Sequence, residues 1–147
     1  MEQILVVDDN PGDILLIIEA LNTSKRTSLS IHVLSDGSEV LPYLRENAFA
    51  IDLIFLDMGT PKVSGAELLT AITAEATQSV PPIIAWSSDI EHEDPSRLAH
   101  IYESGANTII AKPMYFLQLQ SVVHRVLDYW LDIALIPSFQ AKRLASG

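Results

Sequence analysis

Five short apolar runs recur along the chain, at residues 3–7, 29–34, 51–57, 83–86 and 108–111, and each stops on a polar or turn residue. The third is the most telling: Ile51-Asp52-Leu53-Ile54-Phe55-Leu56 ends abruptly on Asp57-Met58-Gly59-Thr60-Pro61. Short continuous apolar runs containing Ile, Val and Phe have the pattern of strands buried on both faces, as in parallel sheets. The stretches between them have helical spacing. Asn10 or Asp9 can cap a helix that opens at Pro11 and continues through Leu15, Leu16, Ile18 and Leu21. Val40, Leu41 and Leu44 form a short second helix despite Pro42 near its start. Leu68, Leu69 and Ile72 mark a third over residues 66–76, and Leu98, Ile101 and Tyr102 a fourth, entered at Pro95 and closed by Gly105. The longest helix is predicted over residues 115–131. Strands alternating with helices over short connections predict an α/β three-layer sandwich around a five-stranded parallel sheet.

Composition narrows this to one domain. The chain has 147 residues, 48% of them hydrophobic, enough for a single sizeable core. It has no cysteine, which removes disulfides, thiolate metal sites and cysteine nucleophiles and fits an intracellular setting. The amino terminus carries no basic leader and the apolar runs fall far short of a membrane span, so a soluble, cytoplasmic protein is expected. Nine Lys and Arg against nineteen Asp and Glu leave a formal charge of −10 without a basic stripe, the wrong sign for holding nucleic acid phosphates. His32, His92, His100 and His124 have no metal-like mutual spacing. No glycine-rich phosphate loop is present.

The chemistry gathers where the strands end. The first run ends in Asp8-Asp9, the third in Asp57, the fourth in Ser87 and the fifth in Lys112. In an open parallel sheet the carboxyl strand ends share one edge, and ligands bind in the crevice outside it. Each residue alone has a plain reading: a helix cap, a turn hydroxyl, a solvated charge. Together, at four strand ends, they form a constellation. Converging carboxylates repel one another, and a hard divalent cation such as Mg²⁺ relieves them. A carboxylate can also carry a phosphoryl group, whose charge a metal, a lysine and a hydroxyl then stabilise.

These residues resemble the receiver domains of two-component response regulators: Asp8-Asp9 after an apolar strand, Asp57 followed by Pro61 and Gly65, a hydroxyl at Ser87, and Lys112-Pro113. The resemblance implies a flavodoxin-like fold with strand order 2-1-3-4-5 over residues 1–131. It also implies Asp57 as the phosphoacceptor, with Asp8, Asp9, Asp57 and the carbonyl of Gly59 holding Mg²⁺. Lys112 would pair with the phosphoryl group, and the Ser87 hydroxyl would move toward it. The donor would be a sensor histidine kinase. Trp130-Leu131 with Ile136-Pro137 further resembles the small regulators paired with phytochromes.

Two positions depart from the family pattern. Ile109 stands where many receivers carry an aromatic switch residue, and Trp86 is larger than expected before Ser87. A haloacid dehalogenase type of phosphotransferase would need a second acid at the position of Gly59. A degenerate receiver, acting as a phosphorylation-independent binding or dimerisation module, would usually lack one of the acids kept here. The expectation is therefore a stand-alone regulator, a signalling phosphoacceptor and not an enzyme with turnover, whose output is contact with another protein. Residues 132–147, with Ile133, Leu135, Ile136 and Phe139, form an apolar extension expected to make a homodimer.

Overall fold

The computed structural model describes residues 2–26, 28–47, 50–59, 63–75, 80–87 and 94–136. Thr60, Pro61, His92, Pro137 and Phe139, all used above, lie outside the described residues. In chain order the elements are β1 (Glu2–Val7), α1 (Pro11–Asn22), β2 (Leu29–Leu34), α2 (Val40–Asn47) and β3 (Leu53–Asp57). Then come α3 (Gly65–Glu75), β4 (Ile83–Ser87), α4 (Pro95–Ser104), β5 (Thr108–Ala111) and α5 (Phe116–Leu127). A 3-10 turn, Gly37–Glu39, leads into α2. All pairings are parallel and the order is β2-β1-β3-β4-β5, the flavodoxin-like arrangement expected.

Alternation along the inner strands builds two cores. Ile4, Val6, Leu53, Phe55, Ile84 and Trp86 face α1 and α5, where Ile17, Leu21, Val123 and Leu127 meet them. Leu5, Val7, Ile54, Leu56, Ile83 and Ala85 face α2, α3 and α4. Both sets are fully buried, which is why these strands are apolar without interruption. Each such Leu or Ile contributes roughly 1.5–3 kcal/mol by leaving water. Strands β2 and β5, at the sheet edges, are only partly buried.

Helix starts are set by local chemistry. Asn10 caps α1, its side chain accepting from the Asp13 N–H at 3.0 Å, and Asp94 caps α4 by accepting from the Ser96 N–H at 3.0 Å. Both helices have Pro in the first turn. Gly105 ends α4 at φ 127, and a Cβ there would lie 2.7 Å from Thr73 Cγ2 on α3, so only glycine suits both the turn and the helix contact. A Cβ on Gly65 would lie 3.0 Å from the Met58 Cα, backbone that cannot swing aside as a methionine side chain can, which favours a glycine where α3 starts beside the β3 turn.

The last helix differs from the reading of the sequence. Its α-helical hydrogen bonding stops at Leu127, and a π-helical turn, Asp128–Ile133, follows, with the Ala134 N–H bonding the Tyr129 carbonyl at 2.8 Å. Leu119, Val123, Val126, Leu127 and Leu131 are buried, while Phe116, Val122 and Trp130 pack partly buried on the same core. The stripe is thus absorbed by its own domain, and the large apolar side chains left exposed are Leu117 near the start of α5 and Tyr129, Ile133 and Leu135 at its end. Ile136 is buried. Arg26 ties this end down through Asp132 at 2.5 Å, Glu2 at 2.6 Å and the Leu127 carbonyl at 3.4 Å.

Candidate functional site

The parallel order brings the carboxyl ends of β1, β3, β4 and β5 to one edge, and Asp8, Asp57, Ser87 and Lys112 arrive there together. Asp8 follows β1, is fully buried, and takes hydrogen bonds from the Asn10 N–H at 2.9 Å and from Lys112 Nζ at 2.6 Å. Neither acid of the pair caps α1, since Asn10 does so; that removes the plainest alternative role for Asp8 and Asp9. Asp9 is exposed and Asp57 is half-buried. One carboxylate oxygen from each of Asp8, Asp9 and Asp57 lies within 4.8 Å of the others. The Gly59 N–H reaches Asp57 Oδ1 at 3.4 Å, and the Met58 N–H is held by the Trp86 carbonyl at 2.9 Å, so the turn after β3 is anchored to β4.

Lys112 leaves β5 with its N–H on the Ser87 carbonyl at 3.0 Å. Its side chain is almost wholly buried, and Nζ bonds Asp8 Oδ2 at 2.6 Å and Asp13 Oδ2 at 2.8 Å. It also lies 5.9 Å from the centre of the Trp86 ring. Trp86 fills core space as its apolar character predicts, stacking at a tilt on Phe55 with centroids 5.1 Å apart. The large residue before Ser87 thereby forms an aromatic floor beneath the lysine. Ser87 is half-buried at the end of β4. Ile109 packs on the second core, and its N–H donates to the Tyr102 hydroxyl at 3.2 Å.

Charge is concentrated here against its own preference. Burial raises the pKa of Asp57, Lys112 opposes the rise, Asp8 adds to it, the Gly59 N–H opposes it, and Asp9 adds to it; the net shift is upward. For Lys112 burial works downward, but hydrogen bonds to Asp13 and Asp8 and the charges of Asp57 and Asp8 outweigh it, so its pKa is raised. Three crowded carboxylates offering only oxygen, one of them disfavoured as an anion, suit a hard divalent cation that keeps some of its water. Mg²⁺ fits that donor set.

Asp13 belongs to this site, and the sequence pattern gives it no role there. No local signal finds it, because an acid at the third helical position ordinarily returns a hydrogen bond to its own helix end. Of the described histidines, none joins the acidic group. His124 Nε2 lies 3.0 Å from the Ala20 carbonyl, and His32 Nε2 lies 2.7 Å from Gln3 Oε1.

A parallel 2-1-3-4-5 sheet bearing three acids and a lysine at its carboxyl edge defines a class of signalling domain, and the chain belongs to it: residues 4–124 match the response regulator receiver domain family. Among its relatives is the probable methanogenesis regulatory protein FilR2 of Methanothrix harundinacea (strain 6Ac), 30% identical over 132 residues, which span 87% of this chain and 83% of the relative. The phosphorylated cyanobacterial phytochrome response regulator RcpA superposes with a TM-score of 0.81 at 33% identity, over 92% of this chain and 98% of that one. The Mn(2+)-bound form of response regulator Rcp1 superposes with a TM-score of 0.78 at 25% identity, over 93% and 99%. Rcp1 of Synechocystis sp. (strain ATCC 27184 / PCC 6803 / Kazusa) is 26% identical over 140 residues, 92% of each chain.

Proposed function

We propose that this protein is a response regulator that takes a phosphoryl group from a sensor histidine kinase onto Asp57, in a Mg²⁺-dependent step, and signals by contact with another protein. The observation that carries the reading is the convergence of Asp8, Asp9 and Asp57 within 4.8 Å, beside a buried Lys112. An Asp57 oxygen attacks phosphorus, an O–P bond forms as the P–N bond of the donor phosphohistidine breaks, and the departing imidazole nitrogen takes up a proton. Asp8, Asp9, Asp57 and the Gly59 carbonyl are the groups that would hold Mg²⁺, which supplies positive charge to the transferring oxygens. Lys112 provides a second positive charge and Ser87 a hydroxyl donor. The phosphoryl group is later lost to water on the same site, which releases inorganic phosphate and resets the protein, so its chemistry is self-phosphotransfer and autodephosphorylation in the service of a signal.

Likeness to RcpA and Rcp1 supports a phytochrome-type kinase as the donor. We place the protein in the cytoplasm as the partner of such a kinase; no described helix is long and apolar enough to cross a membrane. In this reading residues 1–131 are the receiver and residues 132–147 an extension. Exposed Tyr129, Ile133 and Leu135 support self-association through that end as a symmetric dimer. Labelling by acetyl phosphate tests the acceptor: incorporation should require Mg²⁺ and vanish in Asp57→Asn, and full labelling of that variant defeats the assignment. Sedimentation at micromolar concentration tests the dimer; a monomer both in the full chain and after truncation beyond Asp132 defeats it.

A further inference from the structure

We propose that Asp13 is a positioning residue that restrains Lys112, holding the ammonium in a clasp with Asp8 from which a phosphoryl group on Asp57 must draw it. This rests on the phosphoacceptor reading of Asp57 and adds a residue to it. The clasp spans 99 residues of chain, from the first turn of α1 to the end of β5. Its local cause is a capping arrangement with one member diverted. The Asn10 side chain satisfies the Asp13 N–H at 3.0 Å, as a helix cap should. In a reciprocal capping box the acid at Asp13 would return the bond to the Asn10 N–H, but that group is already held by Asp8 Oδ1 at 2.9 Å. The Asp13 carboxylate is therefore not required at its own helix end, and one of its oxygens meets Lys112 Nζ at 2.8 Å.

An ammonium has three donors. Two are engaged, by Asp8 and Asp13, and among the described ion pairs of Lys112 Asp57 does not figure. The two partners differ in a way that assigns them different tasks. Asp8 is wholly buried and held at its other oxygen by the Asn10 N–H, so it is a fixed post. Asp13 is 40% exposed at its side chain, so water can replace the lysine when Lys112 leaves. The releasable half of the clasp is Asp13. Asp57 and Lys112 already feel each other's charge, so a phosphoryl group on Asp57 adds negative charge close to the same ammonium and competes with Asp13 for it. Restraint by a half-exposed pair is modest, which suits a step that must be reversible.

The test uses the full chain and the phosphoryl analogue beryllofluoride at saturating Mg²⁺. Asp13→Asn keeps the side-chain shape and leaves the Asn10 cap intact, and it should tighten beryllofluoride binding about three- to fivefold, the range of one solvent-screened ion pair. The ¹⁵N signal and hydrogen exchange of the Lys112 ammonium should shift toward those of a free lysine in Asp13→Asn and in Asp13→Ala. Asp13→Glu, which keeps the charge, should stay within about twofold of the parent in affinity. A change in the electric field alone would weaken Mg²⁺ binding and leave the Lys112 ammonium signal unmoved; that pattern overturns the clasp. Weaker beryllofluoride binding in Asp13→Asn also overturns it, since Asp13 would then present Lys112 to the ligand. Failure of the parent protein to bind beryllofluoride counts instead against the phosphoacceptor reading, and the ammonium signal still decides the clasp.

Discussion

Strand β3 has a carboxylate at each end, and the two make opposite use of the same chemistry. Asp52 stands just before it, 2% exposed, and completes the sheet: its N–H donates to the Gln3 carbonyl at 2.8 Å while its Oδ2 accepts from the Gln3 N–H at 2.8 Å. Asp57 closes the strand, half-buried, facing Asp8 and Asp9. A buried acid is therefore not in itself a sign of chemistry. At the amino end the Gln3 N–H satisfies a carboxylate oxygen; at the carboxyl end other acids crowd Asp57, and burial together with Asp8 and Asp9 pushes its pKa up. What sets the proposed acceptor apart from the structural carboxylate is the company of like charge.

The strongest way to break this contrast is to exchange the expected phenotypes. Asp57→Asn should lose phosphoryl labelling altogether while remaining folded. Asp52→Ala should keep labelling and unfold at lower denaturant, losing about 1–3 kcal/mol because the buried Gln3 N–H is left without its acceptor. Labelling lost in the second variant under folding conditions would erase the distinction.

A smaller effect sharpens the metal half of the picture. Asp9→Ala removes an exposed acid, so the fold should hold, yet Mg²⁺ affinity should drop by no less than about tenfold, a loss that even groups one shell further from a metal commonly cause. Calorimetric titration with Mg²⁺ reads it, and an unchanged affinity would place the cation elsewhere.

The smallest effect concerns stability with a chelator present. Because the pKa of Asp57 in the folded chain lies above its ordinary 3.8, the folded state keeps that proton to higher pH than the unfolded chain does. The resulting stabilisation is present below the ordinary value and is lost as pH rises through the folded value. At neutral pH the ionised group is a net burden. Asp57→Asn should then be more stable than the parent by no more than about 1 kcal/mol, since solvent screens a half-buried group. That advantage should shrink toward acid pH; thermal melts from pH 4 to 8 showing equal stability throughout would remove the electrostatic account.

The fold was legible because the three inner strands are apolar at every position between their polar ends, and because each terminating residue, Asp8, Asp57, Ser87 and Lys112, is of a type a buried strand excludes. Parallel direction follows from the buried runs and their alternation with helices, while the strand order came with the family resemblance; the apolar pattern alone leaves the order open. Two features escaped. The partnership of Asp13 with Lys112 depends on which side chain wins the Asn10 N–H, a competition settled in three dimensions. The π-helical turn has no propensity signature, since Asp128, Tyr129, Trp130 and Leu131 would serve an α-helix equally; it follows from how Leu131 reaches the core while Asp132 meets Arg26.

That turn sets the rotational phase of Ala134 to Ile136, the described residues beyond it. Each residue of an α-helix advances the face by about 100°. Slipping the hydrogen bonds to a π pattern between Asp128 and Ile133 admits an extra residue into the turn without moving the helix before it. Removing one residue from this turn would rewind the segment to α geometry, swing the chain beyond it by roughly a quarter turn, and part Asp132 from Arg26 while carrying Ile136 out of its buried place. The end of the domain is thus indexed like a toothed wheel, one tooth per residue, and a single insertion or deletion there would re-aim Ala134, Leu135 and Ile136 together.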